Sequence, residues 1–348
     1  MRIALINTEK TWRGGERQTL YTLIGLKELG IKVLLISLEN SPLSKKAKKA
    51  DIDVFEGKSY IDTLKKIILL KPEYDILHAQ SGKAHTQAII SKIYHQKPVV
   101  YTRRVDFFPG AFLTRLKYKY TDQVIAISEK ISEILTSNNI YSNVPIISSA
   151  VMDKSLNTKR AYELKRSLGI KESFPIVGLI SALEDHKDPF LAIEIAKLTH
   201  KENPNIHFIH FGSGKLLEEF QERIYQNSMD KYYHSMGHFE EVEDFFAIMD
   251  IFLMTSKMEG LGSSVLDAFN YQVPVVSTDA GGLKNLVKNK GLICKSGDAS
   301  CLAKSINKIL LSKELHKNIV INAKNYSDKN HSIHNMIQSY MRVYQSLI

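Results

Sequence analysis

The chain alternates short apolar runs with longer stretches whose apolar residues recur at helical spacing, and it does so twice. In the first half, Arg2–Asn7, Lys32–Leu38, Asp53–Phe55, Tyr74–His78, Pro98–Thr102 and Gln123–Ile127 read as strands. Glu16–Leu29, a Lys-rich segment around residues 45–49, Ile61–Leu70, Thr86–His95, Leu113–Tyr120 and Ser128–Asn139 read as helices, with Gly30 and Pro72 as stops. After Pro145–Val151 the polar stretch MDKSLNTKRA lacks a clear pattern and reads as a linker. The alternation then restarts. Pro175–Ser181, His207–Phe211, Tyr232–Met236, Ile251–Met254 and Leu292–Cys294 are the strands. Phe190–His200, Leu216–Gln226, Val242–Ile248, Ala299–Leu311, Glu314–Asn325 and His331–Leu347 are the helices. Strand–helix alternation of this kind predicts an α/β fold with two doubly wound, mostly parallel sheets. Ligands are then expected where strand ends enter helices, on loops that face each other across a cleft. The expected domains are 1–155 and 156–328, with 329–348 packing back toward the first.

The 348 residues are 44% hydrophobic and 24% charged, as in a globular protein, and no apolar run approaches the roughly 20 residues that span a bilayer. The N-terminus has no signal-peptide pattern, so a cytoplasmic location is expected. The two cysteines, Cys294 and Cys301, make no disulfide framework or metal cluster and read as buried or idle thiols. Charge changes the picture more. The net charge is +10, and residues 1–160 hold 26 Lys and Arg against 15 Asp and Glu, so the excess lies in the first half. Such a field suits an anionic partner: a membrane surface, an acidic glycolipid or nucleic acid. No reader motif accompanies the charge, so nucleic acid is not expected. The segment LTRLKYKY, Leu113–Tyr120, suits either a membrane interface or an ordinary amphipathic helix packed on a sheet.

The richest stretch for chemistry is Thr255–Gly282. A loop carrying Glu259, Gly260, Leu261 and Gly262 leads into a helix that Ser263 and Ser264 can cap, with Asp267 eight residues after Glu259. Val273, Val275 and Val276 form a strand, and Asp279, Gly281 and Gly282 open another helix. Two glycine-lined helix N-termini, one strand apart, suit a phosphorylated ligand. Gly14 and Gly15 follow the first strand, and their spacing does not match the dinucleotide fingerprint. Lys187 follows the strand at 175–181, where it can neutralise a diphosphate leaving group. Gly212 and Gly214 form a third glycine turn. In the first half His78, Gln80 and His85 end or follow one strand, and Arg103 and Arg104 follow the next. Both groups sit where the ligand loops of the first half belong. No third ligand has recognisable spacing, so no metal site is expected.

Taken together, GGE at Gly14–Glu16, DILHAQSG, TDQVIAIS, IISSAVMD, SALEDHKDP, FGSGKLLEEF and above all GHFEEVEDFFAIMDIFLMTSKMEGLGSSVLDAFNYQVPVVSTDAGG resemble the family 4 glycosyltransferases, retaining enzymes of GT-B fold. The resemblance implies two Rossmann-like domains, a nucleotide-diphosphate sugar as co-substrate with no cofactor, and no required metal. It assigns Glu259 to the transferred sugar, Asp267 to the nucleotide ribose in place of the family's usual Glu, and Lys187 to the diphosphate. The glycines and Ser263–Ser264 would line the donor. Three family positions differ: Ala182 stands where a second cation is usual, Gln80 where a first-domain His is common, and Asn285 where a Glu often follows the second glycine pair. Arg103 or Arg104 is then a candidate for the missing charge, and the resemblance makes His78, Gln80, His85, Arg103 and Arg104 candidate acceptor-side groups. With the basic first half, the family implies a retaining hexosyl-type transferase at the inner face of a membrane, acting on a lipid-linked or lipopolysaccharide-type acceptor. Ala182, Gln80 and Asp267 leave open a non-catalytic relative that binds a sugar nucleotide or a partner, and the fold also serves nucleotide-sugar epimerases.

Overall fold

In the computed structural model, which describes residues 1–239 and 241–348, the chain forms two compact units. Met1–Met152 with Asn330–Ile348 make the first, and Asp153–Lys329 the second. The first runs β1 (Arg2–Asn7), α1 (Gly14–Glu28), β2 (Lys32–Leu38), α2 (Pro42–Lys49), β3 (Asp53–Gly57), α3 (Tyr60–Leu69), β4 (Ile76–Ala79), α4 (Gly82–His95), β5 (Val99–Arg103), α5 (Phe112–Lys119), β6 (Gln123–Ala126) and α6 (Glu129–Ser137). Its strands are all parallel, in the order β3-β2-β1-β4-β5-β6. The strands are apolar on both faces because helices cover both. Ile3, Leu5, Val33 and Leu35 point toward α1 and α2, while Ala4, Ile6, Leu34 and Ile36 point toward α3, α4, α5 and α6. Serines at 41, 59, 81 and 128 accept first-turn N–H groups and start α2, α3, α4 and α6.

The second unit runs α7 (Thr158–Ser167), β7 (Ile176–Ile180), α8 (Pro189–Glu202), β8 (His207–Phe211), α9 (Leu217–Gln226), β9 (Tyr233–Gly237), a 3₁₀ segment (Val242–Ile248), β10 (Ile251–Met254), α10 (Ser263–Asn270), β11 (Val275–Thr278), α11 (Leu283–Val287), β12 (Leu292–Cys294), α12 (Ala299–Leu311) and α13 (Lys313–Asn330). Its parallel order is β12-β11-β10-β7-β8-β9. The last helix, α14 (Ile333–Gln345), buries Met336, Ile337, Tyr340 and Tyr344 in the first unit's core. It lies close against α1 at Gly25, where a Cβ would run into Ile333 and Ile337. The α/β class with two doubly wound parallel sheets is as the alternation predicts.

Several local expectations need correction. Gly14 and Gly15 are the first residues of α1, not a loop before it, because Glu16 closes a capping box on Arg13. Part of the expected linker is helix: α7 is capped by Asn157 and held by Arg160, whose guanidinium lies 3.0 Å from Asp244. It was hard to see because its buried residues are Ala161 and the stem of Lys165, so no apolar stripe marks it. Val242–Ile248 is 3₁₀, not α. Ser263 and Ser264 do not cap α10; Gly262 does, at φ 88°, a conformation a glycine adopts without strain. Cys294 and Cys301 are not idle thiols but a disulfide, since the end of β12 and the first turn of α12 bring their Cα atoms to 5.9 Å. Among the described residues no helix is long and apolar enough to cross a membrane.

Candidate active site

In each unit the chain starts a sheet at a central strand, winds outward, then returns to the other side of that strand. The return creates a crevice at the strand ends where loops diverge, between β7 and β10 in the second unit and between β1 and β4 in the first. Lys187 follows β7 and Glu259 follows β10, so topology alone brings two residues 72 positions apart to one crevice. Their side chains form an ion pair, with Lys187 Nζ donating to Glu259 Oε2 and both groups largely shielded from solvent.

The surrounding loops hold that pair. Thr255 Oγ1 donates to the Lys187 carbonyl at 2.9 Å, and the N–H groups of Lys257 and Met258 donate to the His186 carbonyl. Ser256 Oγ donates to Glu259 Oε2 at 3.4 Å, and Thr278 Oγ1 to the Ser256 carbonyl at 2.7 Å. Gly282 N–H donates to the Glu259 carbonyl at 2.8 Å, and a Cβ on Gly282 would strike the Gly260 carbonyl. The glycine pair after β11 therefore packs beneath the Glu259 loop. Asp279 accepts from Ser296 N–H at 2.9 Å, which fastens the next loop alongside.

Gly212 and Gly214 do a similar job one strand over. A Cβ at either would collide with the carbonyl of Ser181 or of Leu183, in the loop that carries Lys187. Their main effect is close packing of that loop. Beneath it the wholly buried His210 reaches Ser181 Oγ at 3.0 Å and Tyr233 Oη at 3.2 Å, and burial pushes its pKa down to about 4. Nothing in the spacing singled out Ser181, Thr255, Ser256 or His210. Gly260, Leu261, Gly262, Ser263 and Ser264 lead into α10, and Asp267 sits buried one turn into that helix. The loop side is thus an anion-favouring helix terminus with a lysine beside it.

The first-unit candidates divide. Arg104 is half-buried, donates to Gln80 Oε1 at 2.7 Å, and lies 3.5 Å from where a Cβ on Gly15 would stand. Gln80, Arg104 and Gly15 therefore share one crevice. His78 and His85 do not open onto it. His78 is fully buried, 2.6 Å from Tyr344 Oη and 2.8 Å from Thr102 Oγ1. His85 stacks on Tyr101 at 4.0 Å and bonds Thr121 Oγ1 at 2.7 Å. Burial, with nearby cations, pushes both pKa values down to about 3. Arg103, expected beside Arg104, is buried on the opposite side of the strand, where its guanidinium bonds Tyr118 Oη and the Phe107 carbonyl. Tyr340 and Tyr344 were missed, although their i, i+4 spacing on α14 was visible. Among the described residues no group of three or more His, Cys, Asp or Glu side chains is placed to hold a metal.

Residues 161–326 match the family model described as glycosyl transferases group 1. An uncharacterized glycosyltransferase of Methanocaldococcus jannaschii is 25% identical over 195 residues, which cover 55% of this chain and 44% of that one. The aligned region thus spans less than half of that relative's length. The UDP-Gal:alpha-D-GlcNAc-diphosphoundecaprenol alpha-1,3-galactosyltransferase of Escherichia coli is 24% identical over 271 residues, 72% of this chain and 70% of its own. Among solved structures, Anabaena HepE in complex with UDP and glucose superposes with a TM-score of 0.86 at 18% identity, over the whole of both chains. The match to the glycosyl transferases group 1 model thus falls on the unit that carries the Lys187–Glu259 pair, in a chain with the fold of the GT-B glycosyltransferases.

Proposed function

We propose that the chain is a glycosyltransferase of surface-glycan synthesis, moving a hexosyl-type sugar from a nucleotide-diphosphate sugar to a lipid-linked or lipopolysaccharide-type acceptor with retention of configuration. The observation that carries the donor half is the shielded Lys187–Glu259 pair at the β7–β10 crevice. In transfer, the bond between the anomeric carbon and the diphosphate oxygen breaks and a bond to an acceptor hydroxyl forms. The hydroxyl proton leaves with the diphosphate. Negative charge therefore grows on the leaving group, where Lys187 and the N-terminus of α10 stabilise it. Glu259, released from Lys187 by the incoming diphosphate, contacts the sugar, and Asp267 accepts hydrogen bonds from the ribose. Protein cations do the work a metal ion does elsewhere, so activity should survive a chelator. With Ala182 in place of a second cation, Lys187 carries more of the load.

The acceptor half rests on the basic first unit, the crevice at Gln80, Arg104 and Gly15, and a relative that acts on a diphosphoundecaprenol substrate. The proposed working place is the inner face of a membrane, bound from the cytoplasm. Thermal-shift titration with UDP-, GDP-, ADP- and CMP-sugars tests the donor reading. One donor, UDP-linked if HepE is a guide, should raise the melting temperature in step with its occupancy. Absence of a shift with any of the four sinks it. Turnover of donor without acceptor would point to an epimerase instead.

A further inference from the structure

Exposed apolar side chains are not scattered over this molecule. Of the 22 large ones among the described residues, 13 lie between residues 60 and 120, on the side of the sheet that α3, α4 and α5 cover or in the loops that join them to it. That face is built by α3, α4 and α5, which pack side by side. Helix α5 is its extreme. It buries one side chain, Tyr118, where the comparably short α3 and α6 bury two each. Phe112 and Leu113 stand 77% and 73% exposed, and Phe107 and Phe108 project from the loop before them. An amphipathic helix packed on a sheet turns such residues inward; this one turns them out.

The segment is anchored in that posture. Buried Arg103 holds the Phe107 carbonyl and Tyr118 Oη, Pro109 is buried, and Gly110 N–H closes a turn on the Phe108 carbonyl at 3.0 Å. The cations beside the apolar tip face outward too. Arg115 lies over the Phe108 ring at 5.6 Å and Lys119 is exposed, whereas Lys117 reaches inward to Thr86. Asp106 is the single acid between residues 103 and 120. Rigid aromatic side chains at the tip, with several cations and a single acid around it, match one chemistry, the interface of an anionic bilayer.

We propose that residues 105–120 dock this chain on an anionic lipid bilayer. Phe107, Phe108, Phe112 and Leu113 enter the boundary between headgroups and acyl chains, and Arg115 and Lys119 contact lipid phosphates. The inference rests on the reading that the acceptor is carried in a membrane, and it names the surface that would deliver the enzyme there. The test is co-sedimentation of the full chain with phosphatidylcholine vesicles, with and without phosphatidylglycerol. The wild type should bind the anionic vesicles and release as salt rises. Phe112→Ser with Leu113→Ser should weaken binding by about tenfold or more per side chain. Arg115→Glu with Lys119→Glu should abolish the preference for phosphatidylglycerol. Both pairs are exposed, and unchanged donor-induced thermal shifts would confirm that each folds. Wild type that ignores anionic vesicles at low salt, or variants that bind as well as wild type, would overturn the proposal. So would a dimer of the wild type that the Phe112–Leu113 pair abolishes, because the face would then be a contact between copies. Vesicle binding without transfer to any lipid-linked acceptor would instead count against the functional reading and leave the docking surface standing.

Discussion

The two units share a strand order and differ in almost everything placed on it. The first carries 24 Lys and Arg against 14 Asp and Glu, and the second 23 against 23. In the second, chemistry sits on loops: Lys187, Glu259 and Thr255 lie beyond the strand ends, and glycines below them pack the loops together. In the first, polar groups sink into the core. A continuous chain runs from Tyr344 through His78 and Gln80 to Arg104, tying the last helix of the protein to the crevice between β1 and β4. One topology thus supports two designs, a site whose chemistry is carried on loops, with glycines and one buried histidine packing them from below, and a site whose arginine is held by a chain of buried polar side chains running to the last helix.

The sharpest way to separate them is to remove Lys187. Lys187→Ala deletes the cation facing the proposed leaving group, and kcat should fall about 10²–10³-fold. The first unit should not notice. The chain's single tryptophan, Trp12, lies in that unit, so its fluorescence during urea unfolding should keep its midpoint. A fall in kcat of less than threefold would remove Lys187 from the mechanism. A shifted Trp12 midpoint would mean the two designs are not independent.

What was legible in the sequence follows the same division. The loop-built site was readable because its parts are local: a glycine, an acid and a helix start within a dozen residues, and a lysine just past a strand. The support beneath it was not. His210 looks like one more residue of an apolar strand, and its contact with Ser181 exists only once β7 and β8 pair. In the first unit, Arg103 and Arg104 look equivalent in sequence, and the pleat sends them to opposite sides. His78 and His85 sit where ligand groups belong, yet the stacking of Tyr101 and the reach of α14 make them core residues. The helix at Thr158–Ser167 escaped because a lysine stem does the work of an apolar residue.

Buried histidines give the next effect in size. His78 and His85 in the first unit are held near 3, and His210 and the partly buried His234 in the second near 4, all by burial first. These values lie below the roughly 6.5 of an unfolded histidine. Above that pH both states are neutral and the groups do not matter. As pH falls below it, the unfolded chain binds protons that the native one excludes, so stability drops by about 1.4 kcal/mol per pH unit for each fully buried ring. Between pH 7.5 and 5.5 the first unit should lose about 3 kcal/mol and the second somewhat less. Urea unfolding followed by Trp12 fluorescence and by circular dichroism should therefore separate as the solution is acidified, with the fluorescence transition moving first. Coincident transitions at every pH would deny the asymmetry.

The smallest change strikes the junction at which the C-terminal helix meets the first-unit crevice. Tyr344→Phe removes one oxygen, leaving His78 Nδ1 without the partner it has at 2.6 Å. Losing that hydrogen bond costs about 1 kcal/mol, and the Trp12 midpoint should report it. The informative readout is elsewhere. Gln80 Nε2 lies 3.2 Å from the same nitrogen and can move toward it, and Arg104 takes its bearing from Gln80 Oε1. If that chain positions Arg104 for the acceptor, KM for the acceptor should rise severalfold while the donor-induced thermal shift, a property of the second unit, stays as in the wild type. If the tyrosine merely fills space, stability should fall and both binding readouts should stay put, and the buried polar chain of the first unit would then be support for the fold alone.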